Sequence, residues 1–375
     1  MGRLAFLVIF LHLASQANAL HVLPKMLKGR CHQREQGKWN PSIHSIDFND
    51  QSNGIRKRHN ICMNRCDEYA ETVLKRPRWG GPILGPIVRY LNSCFIGILF
   101  GTILCILNSF KAFRRDILLN QVFRRDKGRG LLTVSNHMSV LDDPGLFAAL
   151  LPWWRISPRR LRWVLCTEDV FFANKYVQMI LGGGNVIPLD RSGSLEQPLF
   201  QRFQEKLAGG DWCHIFAEGK VRQTWRFDAD REPVLGDFKF GVGKLVAHCP
   251  TSPIVVPFYH RGMDGVIPEK VLKDKKTKKA STPASMVPQR GNNIRLYIGE
   301  PLDFTEKVQK FKQAHPDALA SWRSTMESIA LYEDITNDIR SAVLKLEAEA
   351  WNRQGATVAT GTDTATTGGL ALGPA

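Results

Sequence analysis

Acidic residues are in short supply. There are 35 Asp and Glu against 51 Lys and Arg, so the 375-residue chain carries a net charge of +16 and a pI near 9.6. So basic a balance favours polyanionic partners, either nucleic acid or an anionic membrane surface. A paired-cysteine framework is also missing. Of eight cysteines, Cys94, Cys105, Cys166, Cys213 and Cys249 sit singly in apolar stretches, where a thiol is a small buried hydrophobe. Cys31, Cys62 and Cys66 lie closer together near His32 and His59, but their C-x3-C spacing is not a zinc knuckle and no second pair follows, so no metal site is assigned. A nucleic-acid recognition helix is absent as well, and the aromatic residues fall in apolar strands, which argues against nucleic acid as the partner. An apolar fraction of 43% excludes wholesale disorder.

The chain divides into five stretches. Residues 1–19 read as a targeting segment: Arg3, an apolar run over 4–13, and Ala17-Asn18-Ala19 as a small-residue cleavage site. Residues 20–82 form an irregular basic leader whose densest cluster is Arg56-Lys57-Arg58. Residues 83–112 hold the strongest apolar block. From Tyr90 to Phe110 no side chain is charged, with Arg89 before the run and Lys111, Arg114 and Arg115 after it. About 20 apolar residues cross a bilayer, so this block spans a membrane, lies in its interface, or is a buried core helix. Residues 113–352 make the main domain, and 353–375, rich in Thr, Gly and Ala, a disordered tail.

From about residue 128, apolar strands at 131–135, 163–167, 212–216, 254–258 and 294–298 alternate with helices at 144–151, 195–207 and 238–248, before a long helix over 321–351. Such alternation predicts an α/β domain with a central, largely buried sheet flanked by helices. The lysine-rich stretch 270–279 is either a solvated loop or a contact for anionic lipid headgroups.

Three strand ends carry polar groups. The segment NHMSVLDDP (136–144) places His137 and Asp142 between a strand and a helix that opens at Pro144 with Asp143 as its N-cap. Five residues of continuous helix would turn the two side chains about 140° apart, whereas a turn lets them meet. Asp142 then fixes one imidazole tautomer and leaves the other nitrogen as a base. No serine or cysteine nucleophile motif adjoins the pair, so the acceptor is an external hydroxyl. The second strand end, GDWCHIFAEGKVR (210–222), presents Glu218 for hydroxyls, Gly219 for close backbone approach, and Lys220 with Arg222 for a phosphate. A third, GNVIPLDR (184–191), ends in Arg191. His214, among Trp212, Ile215 and Phe216, belongs to a strand interior as a structural histidine.

The H-x4-D turn, the arginine turn and the F-x-E-G turn, in that order, resemble the signatures of the glycerolipid acyltransferases. FKFGVGKL (238–245) and GMDGVIP (262–268) extend the likeness, in particular to phospholipid–lysophospholipid transacylases of cardiolipin remodelling, over residues 128–350. The resemblance implies His137 as general base, Asp142 as its orienting partner, and a headgroup site lined by Arg191, Glu218, Gly219, Lys220 and Arg222. It implies no cofactor, phospholipid and lysophospholipid substrates, and a mitochondrial membrane facing the intermembrane space, although the leader points to the secretory route or a plastid. The rivals are an acyl-CoA-dependent lysophospholipid or lysophosphatidic acid acyltransferase and a catalytically silent lipid-binding scaffold. Headgroup, acyl preference and oligomeric state are left open.

Overall fold

A computed structural model describes residues 81–152, 160–167, 184–189, 194–223, 235–272, 280–283 and 287–361. The targeting segment 1–19, the leader up to residue 80, Cys31, Cys62, Cys66, Arg191, the lysines of 273–279 and the tail from 362 lie outside the described residues.

The domain opens with α1 (Gly81–Cys105), followed by β1 (Ser109–Phe113) and α2 (Arg115–Arg124). Then come β2 (Leu131–Ser135), α3 (Asp142–Leu150), β3 (Trp163–Thr167), β4 (Val186–Leu189) and α4 (Pro198–Ala208). Next are β5 (Trp212–Phe216), α5 (Gly241–Ala247), β6 (Ile254–Arg261) and the short α6 (Met263–Val266). The hairpin of β7 (Glu269–Leu272) and β8 (Ala280–Pro283) precedes β9 (Asn293–Ile298), β10 (Leu302–Asp303), α7 (Thr305–Ala314) and α8 (Met326–Gly361).

The strands form one mixed sheet in the order β1-β9-β6-β2-β5-β3-β4, with β10 added to β6. The centre is parallel: β2 pairs with β5 on one side and β6 on the other. Both faces of this centre are covered, which is why β2 reads as an unbroken buried run rather than an alternation. One face sets Leu131, Trp212, Val256, Phe258, Leu296 and Ile298 against Leu118 of α2 and Phe147 and Leu150 of α3. The opposite face sets Tyr259 and Tyr297 against Val343, Leu346 and Ala350 of α8. The two-residue period of β6 and β9 thus divides their side chains between two helical layers.

The 83–112 block is divided between a helix and a strand. The chain leaves α1 at Cys105, and Ser109–Phe113 enters the sheet as an edge strand paired with β9. No helix among the described residues is long and apolar enough to cross a membrane. At 25 residues α1 has the length, but Arg89, Asn92, Ser93 and its glycines dilute the apolar character. Its inward side packs Ile103 and Leu104 on Leu146, Met138 and Met263, while Ile87, Tyr90, Leu91, Phe95 and Ile98 remain exposed. The expected loop at 270–279 is partly a hairpin, with Leu272 opposite Ala280. Helix α8 begins at Met326 and runs on to Gly361, past the tail boundary set at 353.

Candidate acyl-transfer site

Parallel neighbours end at the same edge of a sheet, so β2, β5 and β6 deliver their C-terminal ends side by side, where α/β sheets build sites. His137 follows β2, Glu218 follows β5, and His260 sits at the end of β6.

The segment 136–141 is non-helical, as the turn geometry requires. His137 Nδ1 lies 2.9 Å from Asp142 Oδ2. The same oxygen accepts the main-chain N–H groups of Met138 at 2.6 Å and Ser139 at 2.9 Å. An oxygen already holding two donors also takes the imidazole hydrogen, so Nδ1 carries the proton and Nε2 keeps the lone pair. Asp142 is fully buried, and the His137 side chain keeps 16% of its surface exposed. The imidazole lies flat on Phe216, centroids 4.0 Å apart and planes 15° from parallel.

The main chain of His137 is held from the other strand. Its N–H donates to Glu218 Oε1 at 3.1 Å, and its carbonyl accepts from the Arg222 N–H at 2.8 Å. Glu218 Oε2 accepts the Gly236 N–H at 3.1 Å, with the Arg222 guanidinium 3.5 Å away. A side chain at Gly236 would run into the ends of both the Arg222 and Glu218 side chains, which would have to shift to admit it. Burial raises the Glu218 carboxyl above the usual carboxylate range, against the bonds from His137 and Gly236 and the charge of Arg222.

The site residues named from sequence therefore separate. His137, Asp142, Glu218 and the Arg222 main chain come together, whereas Lys220 stands exposed at the tip of the turn. Glu218 faces the His137 main chain, not solvent. Gly219 serves a positive φ of 69°, and a Cβ there would meet only the Lys239 side chain at van der Waals distance, so conformation rather than close approach requires it. Asp143 does not cap α3. That helix starts two residues earlier than expected, the backbone leaves the helical region at Asp143, and its carboxylate pairs with buried Arg162. Arg162 lies over the Phe147 ring at 5.1 Å, and burial lowers its guanidinium to about 9. His214 is fully buried in β5 between Thr133 and Phe147, and burial holds it well below the usual histidine range.

The sequence reading gave no role to Asn136 or His260. Asn136 adjoins His137, which was a signal. His260 had none, because only the β2–β6 pairing brings it to the turn.

Residues 118–261, from α2 to the end of β6, match the acyltransferase family. The matched stretch contains both the His137–Asp142 turn and the Glu218 turn. Among named proteins it is similar to the N-acylphosphatidylethanolamine synthase of Arabidopsis thaliana, 34% identical over 52% of this chain and 64% of that protein. It is similar also to the tafazzin of Drosophila melanogaster, 30% identical over 68% of this chain and 61% of that protein. The chain spans between three fifths and two thirds of the length of these two relatives. Among solved structures, the 1-acyl-sn-glycerophosphate acyltransferase PlsC from Thermotoga maritima is similar at 16% identity and a TM-score of 0.42, over 78% of this chain and 98% of that one.

Proposed function

We propose that the protein moves a fatty acyl group from a phospholipid to a lysophospholipid without a cofactor. The observation that carries this is the His137–Asp142 contact, which leaves Nε2 as a base on a partly exposed ring. Nε2 takes the proton of the acceptor hydroxyl as its oxygen attacks the donor ester carbonyl carbon. The tetrahedral intermediate collapses by breaking the carbon–oxygen bond to the donor glycerol. The imidazolium then returns the proton to that departing oxygen, so ester is exchanged for ester and no thioester is needed. The exposed apolar face of α1 lies in the interface of an anionic membrane, and Lys220, Arg222 and Arg191 receive the lipid phosphate.

The resemblance to the Arabidopsis synthase supports a second acceptor, the primary amine of phosphatidylethanolamine, whose attack on the same carbonyl gives an amide. One assay separates the cases. The purified protein in vesicles, given a radiolabelled phospholipid and an unlabelled lysophospholipid, moves label into an alkali-labile ester without coenzyme A. Label in an alkali-stable amide would select the amine acceptor. Transfer only with acyl-CoA would replace the proposal with the thioester-dependent alternative, and no transfer from any donor would leave a lipid-binding scaffold.

A further inference from the structure

The second imidazole at this site, His260, is fully buried at the end of β6 beside Asp142. Its Nε2 lies 3.0 Å from the Asn136 carbonyl oxygen and 3.5 Å from Asp142 Oδ2. Nδ1 has no hydrogen-bond partner among the described residues. A ring nitrogen that faces a carbonyl and a carboxylate oxygen must carry hydrogen, so the tautomer is Nε2–H with the lone pair on Nδ1. Burial holds this ring below the usual histidine range, against the attraction of Asp142, and keeps it neutral.

A second set of bonds ties the same two residues. The His260 N–H donates to Asn136 Oδ1 at 3.0 Å, and Asn136 Nδ2 donates to the His260 carbonyl at 2.8 Å. Three hydrogen bonds thus fix the residue that immediately precedes His137, and one of them leans towards the oxygen that orients His137. Charged and titratable groups around the ring are Asp142, His137, Asp264 and His214.

We propose that His260 is a positioning residue of the acyl-transfer site. Its Nε2–H, shared between the Asn136 carbonyl and Asp142, holds the Asn136–His137 peptide and the Asp142 carboxylate in the register that aims His137 Nε2 at the substrate. The inference rests on the acyl-transfer reading, but its spectroscopic test does not.

The experiment has two arms on the full-length chain in detergent micelles. In nitrogen-15-labelled histidine spectra of the unaltered protein, His260 shows a protonated Nε2 with an unprotonated Nδ1, and His137 the reverse. Finding His260 as the opposite tautomer, or charged at neutral pH, overturns the proposal even if no variant folds. In the second arm, His260→Leu fills similar space without a donor, and His260→Gln restores one. Misplacement of a reacting group costs on the order of 10²-fold. His260→Leu therefore lowers kcat about 10²-fold with the acceptor KM little changed, and the His137 signals become a mixture of tautomers. His260→Gln recovers about tenfold of that loss. A folded His260→Leu protein with the kcat and His137 spectrum of the parent overturns the inference. If the parent itself transfers no acyl group, the function falls, while the spectra still decide the role of His260.

Discussion

The two polar turns at the sheet edge are built in opposite ways. At the His137–Asp142 turn, the carboxylate accepts from three donors and the His137 main chain is held at both its N–H and its carbonyl. At the Glu218–Arg222 turn Glu218 and the main chain are pinned, the half-buried Arg222 guanidinium rests 3.5 Å from Glu218, and Lys220 stands exposed. Pinning suits a base that must be aimed within tenths of an ångström. Loose, long cations suit a phosphate, a diffuse charge that tolerates several approaches. On the proposed reading, the first turn does the chemistry and the outer half of the second captures the lipid.

Removing the base should test this division most severely. His137→Ala is expected to lower kcat by about 10²–10⁴-fold, the usual worth of a general base. The fold should survive, because the Glu218 and Arg222 bonds reach the main chain and not the ring. Asp142→Asn should cost a comparable factor, since an amide in place of the carboxylate no longer fixes the tautomer. Turnover near the parent value in a folded His137→Ala protein would remove the mechanism.

Glu218 comes next, because it belongs to the pinned set despite its place on the second turn. Glu218→Gln leaves one of two buried main-chain donors poorly matched, a cost of about 1–3 kcal/mol. Melting should fall accordingly and kcat with it, whereas acceptor KM should hold. A rise in KM alone, at parent stability, would put Glu218 on the lipid and not on His137.

Much of this arrangement was legible beforehand, for local reasons. Strands buried on both faces write themselves as apolar runs, and the ends of β2 and β5 announced the two turns. Other elements are hidden by equally local causes. In β1, Lys111 and edge placement mask a strand that directly follows an apolar helix. In β4, Pro188 interrupts a short apolar run, so the paired strand is not among those expected from sequence. His260 was illegible for a different reason. Its partners Asn136 and Asp142 lie more than a hundred residues away, and the contact exists only because β6 pairs with β2. Glu218 was visible, but its direction depends on Gly236, brought in from a separate segment.

A milder break addresses the loose half of the comparison. Lys220→Ala and Arg222→Ala should raise acceptor KM several-fold and leave kcat within about twofold, because a phosphate clamp acts in ground and transition states alike. Single exposed charges contribute on the order of 1 kcal/mol or less, so the double substitution should be needed for a clear effect. An equal fall in kcat at saturating acceptor would move these cations to the reacting centre.

The smallest effect on turnover should come from a half-buried histidine outside the site. His248, just after α5, lies 2.6 Å from the Tyr332 hydroxyl and against the edge of Trp322. Burial, with Lys244 and Lys312 nearby, lowers its imidazole to about 4. The unfolded chain then binds a proton that the folded chain refuses between about 6.5, the ordinary histidine value, and 4. Stability must therefore rise with pH across that window and be lost as the solution is acidified through it. His214 and His260, lowered by burial, push in the same direction. His248→Gln should flatten part of the fall in melting temperature on acidification while leaving neutral-pH turnover unchanged, since its ring lies against Tyr332 and Trp322 rather than the turn. His137→Gln, in contrast, should remove most of the turnover at neutral pH. If His248→Gln leaves the acid slope as steep as in the parent, His248 is not among the histidines that the fold keeps neutral.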